Sequence, residues 1–385
     1  MPFCLKKCPY CDFFSVGGNT VSEVKNLELQ TSYAKAAAEE LAFYGRKNLH
    51  SDGKLLKKAD TVYFGGGTPS ILQLGDLETI MYAVRRHFQP TEDAEITLEA
   101  NPATVSLEKL RAYRKMGINR LSIGAQSMDD RILKTLGRLH TAEETRRTVE
   151  LARKAGFDNI SLDLMFAIPG QSLTDWLSSV KKLMELEPEH ISLYSLEFIE
   201  NTKFWHDREA GILRETDAEA DRQMYEEALA LMAQNGYLQY EISNVSYKGK
   251  YKSRHNLKYW ELKEYLGVGP SAHSFIDGAR YYNVSDVDKY ISTAESGQAV
   301  RGYVKNTFED NVSEYIFTGL RKNDGISLEA FAEKFGQDVW DIYDEECRRE
   351  FEQFVEGGLA EYRDGFMRLT VKGMNVSNRI MSLFV

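Results

Sequence analysis

The sequence predicts an α/β fold with a curved or barrel-like parallel sheet, followed by a small α+β domain. Two observations carry this. Between residue 60 and about 200, short β-branched runs alternate with amphipathic stretches, the pattern of βαβ units. Beyond about 305 that alternation gives way to consecutive helical patterns and one hairpin. Five successive units with no reversal favour closure of the sheet, and an open doubly wound sheet is the competing architecture.

The strands are expected at 61–64, 96–99, 120–124, 160–164 and 191–196, each a short apolar run that reads as buried. Between them, a helix at 106–116 opens on a serine and stops before Gly117. Thr141 and Glu144 form a capping box for a helix ending at Gly156, and the pattern at 172–186 closes before Pro188. A long helix at 215–235 ends at Gly236, and 237–243 resembles one more strand leading into an aromatic, polar segment. Helices follow at 309–320, 328–335 and 339–356, then a Gly357-Gly358 break and a hairpin around Asp364-Gly365. This order suggests a winged-helix-like module, but Asp341, Asp344, Glu345 and Glu346 argue against DNA recognition.

Composition narrows the function classes. The 385 residues carry 48 basic against 58 acidic side chains, a net charge of −10, so general attraction to nucleic acid or anionic lipid is disfavoured. No apolar run approaches the roughly 18 residues of a membrane span, and Met1 is followed by Pro2, Phe3 and Cys4 in place of a signal sequence. A cytoplasmic protein is expected, with no nucleic-acid partner and membrane contact at most peripheral.

Three of the four cysteines, Cys4, Cys8 and Cys11, fall in a C-x3-C-x2-C loop. A structural zinc site would want a fourth ligand, but Cys347 lies in a different expected domain and the nearest downstream histidine is His50. A [4Fe-4S] cluster takes one ligand per iron, so three thiolates leave one iron open to an outside molecule. The alternative is three reduced thiols without a metal. Tyr63-Phe64-Gly65-Gly66-Gly67-Thr68-Pro69-Ser70 follows an expected strand, so its glycines can bring backbone amides close to a ligand; a plain βα turn reads equally well. Glu99, Gln126 and Asp163 each stand at or just past the carboxyl end of an expected parallel strand, where such folds place ligand-binding groups.

With Tyr10 before the last cysteine, the loop resembles that of the radical S-adenosylmethionine (SAM) superfamily, and Phe64-Gly65-Gly66-Gly67-Thr68-Pro69-Ser70 resembles the form used by its HemN and HemW branch. The resemblance implies a partial, TIM-like (β/α)6 radical SAM barrel over about 1–245, a connecting region at 246–304 and a HemN-type helical domain at 305–385. It implies a [4Fe-4S] cluster on Cys4, Cys8 and Cys11, and SAM held by Gly66, Gly67, Thr68, Glu99, Gln126, Arg138 and Asp163. Arg138 would pair with the methionyl carboxylate and Asp163 would accept hydrogen bonds from ribose hydroxyls. Pro169-Gly170-Gln171 matches a branch loop, with Ile168 in place of leucine.

HemN-type proteins oxidatively decarboxylate coproporphyrinogen III, whereas HemW-type proteins are similar to haem chaperones. The position two beyond Cys11, a cysteine in the HemN type, is Phe13 here. Arg254-His255-Asn256-Leu257-Lys258-Tyr259-Trp260 matches the HemW signature HNxxYW, which implies haem iron on His255 with Tyr259 and Trp260 against the porphyrin. His273 is a second candidate, while His140 and His190 read as structural or exposed. The expectation is a haem chaperone that passes haem to an acceptor protein such as a respiratory enzyme, with no catalytic side chain assigned. The alternatives are a radical SAM oxidoreductase on a tetrapyrrole and a cluster-bearing interaction protein. The chain begins at Met1-Pro2-Phe3-Cys4 without the apolar strand of its relatives, which predicts either an upstream start or fraying at Cys4 with weaker cluster binding.

Overall fold

A computed structural model describes residues 1–17, 23–48, 55 and 57–385. The chain forms two compact units: Met1–Asn235 with Gly267–His273 and Tyr281–Tyr303, and Gly236–Leu266 with Ser274–Arg280 and Val304–Val385. Strands β10 (His273–Ile276), β11 (Ala279–Asn283) and β12 (Val300–Lys305) carry residues assigned to both.

The first unit opens on two short paired strands, β1 (Phe3–Cys4) and β2 (Val16–Gly17), and a long helix α1 (Glu23–Lys47). Five strands then run parallel in chain order: β3 (Thr61–Phe64), β4 (Glu95–Ala100), β5 (Arg120–Gln126), β6 (Ile160–Phe166) and β7 (His190–Ser195). Helices α2 (Leu74–Phe88), α3 (Leu107–Lys115), α5 (Ala142–Lys154) and α6 (Leu173–Met184) make the crossovers, with a short α4 (Asp130–Thr135) after β5. Helices α7 (Lys203–Glu209), α8 (Ala218–Gln234) and, later in the chain, α10 (Val287–Thr293) complete this unit. Strands β4, β5 and β6 are buried along nearly their whole length, as expected of a parallel sheet covered on both faces, whereas the edge strand β3 buries only Phe64.

The expected caps at Ser106 and Thr141 are present, and Ser172 adds one that the sequence did not announce. Ser106 accepts from the Lys109 amide, and Thr141 with Glu144 and Ser172 with Asp175 form reciprocal boxes. Helix α1 has no counterpart in the sequence reading; it buries Tyr33, Ala34, Ala36, Ala37 and Leu41 on one stripe, together with the polar Gln30 and Glu40.

In the second unit the segment expected as one strand at 237–243 is a hairpin, β8 (Tyr237–Glu241) paired antiparallel to β9 (Asn244–Tyr247), and the aromatic segment after it winds into α9 (Arg254–Trp260). The C-terminal part runs α11 (Phe308–Gly319), β13 (Ile326–Ser327), α12 (Leu328–Phe335), α13 (Val339–Ile342), α14 (Glu345–Glu356), β14 (Ala360–Arg363) and β15 (Phe366–Leu369). Its three strands pair antiparallel in the order β13-β15-β14, the helix-strand-helix-helix-hairpin order of a winged helix. Ile316, Phe331, Phe351 and Met367 fill its core, and α15 (Val371–Met374) and α16 (Ser377–Met381) add Met374 and Ile380. The single helix expected at 339–356 breaks at Tyr343, which is extended (φ −93°, ψ 146°) so that Asp344 can cap α14 through the Cys347 amide. No helix among the described residues is long and apolar enough to cross a membrane.

Candidate functional site

The cysteine loop is fixed at both ends. Phe3 is 1% exposed and meets the Tyr33 ring edge-on at 5.3 Å. The Gly67 amide donates to Met1 O and the Thr68 amide to Phe3 O, both at 2.7 Å, and Val16 N donates to Pro2 O at 2.5 Å. The segment expected to fray at Cys4 is thus docked onto the turn after β3. Inside the loop Cys11 N donates to Cys8 O (3.2 Å), and Pro9 O accepts from Phe204 N (2.9 Å).

Cys4 Sγ lies 3.5 Å from Thr68 Oγ1, and Arg138 Nη1 donates to Cys8 Sγ at 3.6 Å. Burial pushes the Cys11 thiol above its ordinary pKa, and the nearby Cys8 and Cys4 thiols add to the rise. Among the described residues no three His, Cys, Asp or Glu side chains close on a single metal ion. A four-iron cluster takes one ligand per iron, three of them thiolates on this loop, and spaces them more widely than a mononuclear ion does.

The glycine turn serves this docking. A Cβ on Gly67 would stand 2.6 Å from Phe3 O and 3.1 Å from Cys4 Sγ, and Gly66 has φ +115°. The sequence suggested that these amides point at a ligand. In the structure the N–H groups of Gly67 and Thr68 hold the cysteine strand, and Gly66 N donates to Glu99 Oε2 at 3.1 Å.

Behind the loop the sheet carries a polar layer, one residue from each of several strands. Glu99 on β4 also accepts from the Tyr63 hydroxyl of β3 (2.8 Å). Burial pushes its carboxyl up to about 7, with Asp163 adding to the rise while the bonds from Tyr63 and Gly66 oppose it. On β6, both Asp163 oxygens accept from Ser122 Oγ of β5 at 3.3 Å. Burial raises the Asp163 pKa too, against hydrogen bonds from serines 192, 122 and 161 and the charge of Arg120. Two buried carboxyls, each with its pKa raised, form a seat whose charged form a cationic or hydroxyl-bearing ligand would favour.

Gln126 ends β5 at a break in the β5–β6 register and sits in the left-handed region (φ 62°). Its Oε1 is buried with no partner, as is Arg138 Nε, while Arg138 Nη2 donates to Gly124 O at 3.0 Å. Gly124 fits between them: a Cβ there would be 3.0 Å from Gln126 Nε2 and 3.4 Å from Arg138 Nη2. Three thiols on one pinned loop, two orphaned polar atoms and two buried carboxyls fit a cluster and a zwitterionic ligand.

His255 belongs to the second unit. Ser253 caps α9 by accepting from Asn256 N (3.3 Å), and no residue of that helix is fully buried. His255 Nε2 is 2.9 Å from the Tyr259 hydroxyl, and Tyr259 lies edge-on to Tyr265 at 4.6 Å. Arg321 covers the Trp260 ring at 4.4 Å. His273, in the first unit, is exposed and stacks on Tyr282 at 5.6 Å. His140 bonds Ala125 O and His190 bonds Ser161 Oγ; both are buried, as a structural role requires. His50 lies outside the described residues.

The sequence reading missed Tyr63, Ser122 and Arg120, which bond or charge the Glu99–Asp163 layer from inside the strands. Their signal was the two-residue period: 120 precedes 122 by two on β5 and 161 precedes 163 by two on β6, and the pairing sets Glu99 beside Ser122 and Ser122 beside Ser161.

Residues 1–183 match the radical SAM superfamily, and residues 307–376 match the HemN C-terminal domain. The chain is 35% identical to a Bacillus subtilis protein named heme chaperone HemW, over all of this chain and 97% of that one. An Escherichia coli protein of the same name is 37% identical over 72% of this chain and 70% of its own. A mitochondrial radical S-adenosyl methionine domain-containing protein 1 from Bos taurus is 30% identical over 99% and 85% respectively. Among solved structures, the Escherichia coli coproporphyrinogen III oxidase HemN superposes with a TM-score of 0.85 at 21% identity, covering all of this chain and 88% of that one, a likeness of fold.

Proposed function

Since the chain belongs to the HemW family of the radical SAM superfamily, we propose that it is a haem chaperone, binding haem and passing it to an acceptor protein such as a respiratory enzyme in the cytoplasm. The observation that carries this reading is identity of about a third, end to end, with proteins of that name. Phe13, where HemN-type proteins have a further cysteine, supports it over the tetrapyrrole oxidase.

In this reading Cys4, Cys8 and Cys11 hold a [4Fe-4S] cluster, which when bound supplies an electron and one open iron position for SAM. Glu99, released from its neutral form by a cation, seats the ammonium of SAM. Arg138 faces the carboxylate, Gln126 supplies its orphaned amide oxygen, and Asp163 accepts from hydroxyls. Gly66, Gly67 and Thr68 keep the cysteine strand against this pocket wall. His255 offers an imidazole nitrogen to haem iron, oriented by its bond to Tyr259.

The test is an anaerobic haem titration of wild type and His255→Ala, followed at the Soret band, with matched circular dichroism. Saturable binding to the wild type that is at least about tenfold weaker in the variant supports the assignment, since an axial imidazole carries much of haem affinity. Binding by neither returns the oxidase reading, and equal binding moves the ligand to His273.

A further inference from the structure

We propose that the basic surface around α9 receives the two propionate carboxylates of haem, so that this face reads the acidic edge of the porphyrin. The inference rests on the chaperone reading and adds the groups that select the ligand.

Charge is distributed unevenly along the chain. The whole protein is at −10, yet residues 242–260 hold Lys248, Lys250, Lys252, Arg254 and Lys258 with no aspartate or glutamate. Such a reversal over the segment that carries His255 calls for an anionic ligand or neighbour. On α9, Arg254 and Lys258 stand at i and i+4 and so share a stripe. His255 and Tyr259, one residue on, form the adjacent stripe, so a flat ligand lying over the histidine has cations along one flank. Arg254 is exposed and Lys258 half-buried, and no side chain of the helix is sealed in the core.

Further lysines gather nearby. Lys252 lies over the Tyr240 ring at 5.8 Å. Lys322 is half-buried, and its pKa is lowered by burial; Glu261 and Asp324 oppose that shift, and the like charges of Lys263 and Lys252 add to it. Lys263 in turn pairs with Glu261 at 2.5 Å. Around Lys322, the ammonium groups of Lys252 and Lys263 and its own thus stand against the carboxylates of Glu261 and Asp324, a formal charge of three against two to which the acidic edge of a ligand can add. Charge-assisted pairs to carboxylates are the stronger class of hydrogen bond, and Arg254 can make one bidentate.

Haem and its dimethyl ester share iron, ring and axial chemistry and differ only in the two carboxylates, so they make the probe pair. Anaerobic Soret titrations of the full chain with each are expected to show haem bound roughly tenfold more tightly than the ester, with the preference shrinking as salt rises. In Lys252→Gln/Arg254→Gln/Lys258→Gln, haem affinity falls to that of the ester while ester affinity holds. Equal wild-type affinity for the two probes overturns the proposal and leaves the chaperone reading standing. Parallel loss of both probes in the variant also overturns it, since the side chains would then support the fold of α9. Binding of neither probe by wild type defeats the chaperone reading and this one together. The wild-type comparison decides the matter even if the triple variant does not fold.

Discussion

Gln126 shows how a single residue trades comfort for placement. Its backbone has φ 62°, a region that costs a side-chain-bearing residue on the order of 1 kcal/mol, and its amide oxygen is buried without a partner. Gln126→Gly removes both penalties. The variant is expected to be at least as stable as wild type in urea denaturation, yet to bind SAM at least about tenfold more weakly after cluster reconstitution. Loss of stability with unchanged SAM affinity would show that the residue is structural. The placement of Glu99 and Gln126 was legible because strand ends in parallel folds are where ligands bind, whereas Asp163, expected at a strand end, stands in the middle of β6, which runs on to Phe166. The supporting Tyr63 and Ser122 were not, because a tyrosine or serine within a strand looks like ordinary alternation until the register sets it beside a carboxylate.

At the scale of elements, β1 and the turn after β3 act as one piece. With Phe3 O and Cys4 Sγ so close to Gly67, Gly67→Ala must push the cysteine strand outward, because the nearest atom is backbone and cannot rotate away. The expected outcome is a folded protein, destabilised by about 1–3 kcal/mol, whose iron and sulfide content after anaerobic reconstitution falls by more than half. Full loading at wild-type stability would mean that the strand is not held as the hydrogen bonds indicate. Elements with local signals were legible: the Thr141–Glu144 capping box, the glycine stops after α3 and α5 and the Asp364-Gly365 turn all sit where expected. Helix α1 was not, because its buried stripe is mostly alanine and its charges are spread over the rest. The break at Tyr343 was missed since only a cap at Asp344, not a glycine or proline, marks it.

For the molecule as a whole, buried titratable groups make stability depend on pH from both sides. Burial, helped by Arg138, lowers the His140 imidazole to about 4, and burial holds His190 well below its usual range. A depressed histidine binds its proton in the unfolded chain first, so its contribution is complete above about 6.5 and is lost as pH falls towards 4. Glu99, raised to about 7, has the opposite slope: the folded state keeps its proton longer, so stability falls as pH rises from about 4.5 to 7. Replacing His140 with glutamine, which cannot titrate, should shrink the loss of unfolding free energy between pH 7 and pH 5 by about 2 kcal/mol. An unchanged difference in urea titrations at the two pH values would refute the depressed pKa. Fold class was legible because it follows from patterns repeated along the chain, whereas candidates such as Arg138 and His255 came from the resemblance. Division into units was less so, since 267–273 and 281–303 join the first unit through long-range bonds such as those of Glu40 to Gly269, Asn283 and Tyr290. The docking of β1 also sets a timetable. Cys4 is translated 64 residues before Thr68, the residue whose amide secures Phe3, and well before β4 supplies Glu99. On the ribosome, at about 5–20 residues per second, the three thiols spend several seconds on an unanchored strand. If these thiols hold a cluster as proposed, its loading is then a late event, and until the scaffold catches up the sulfurs are open to oxidants and stray metals.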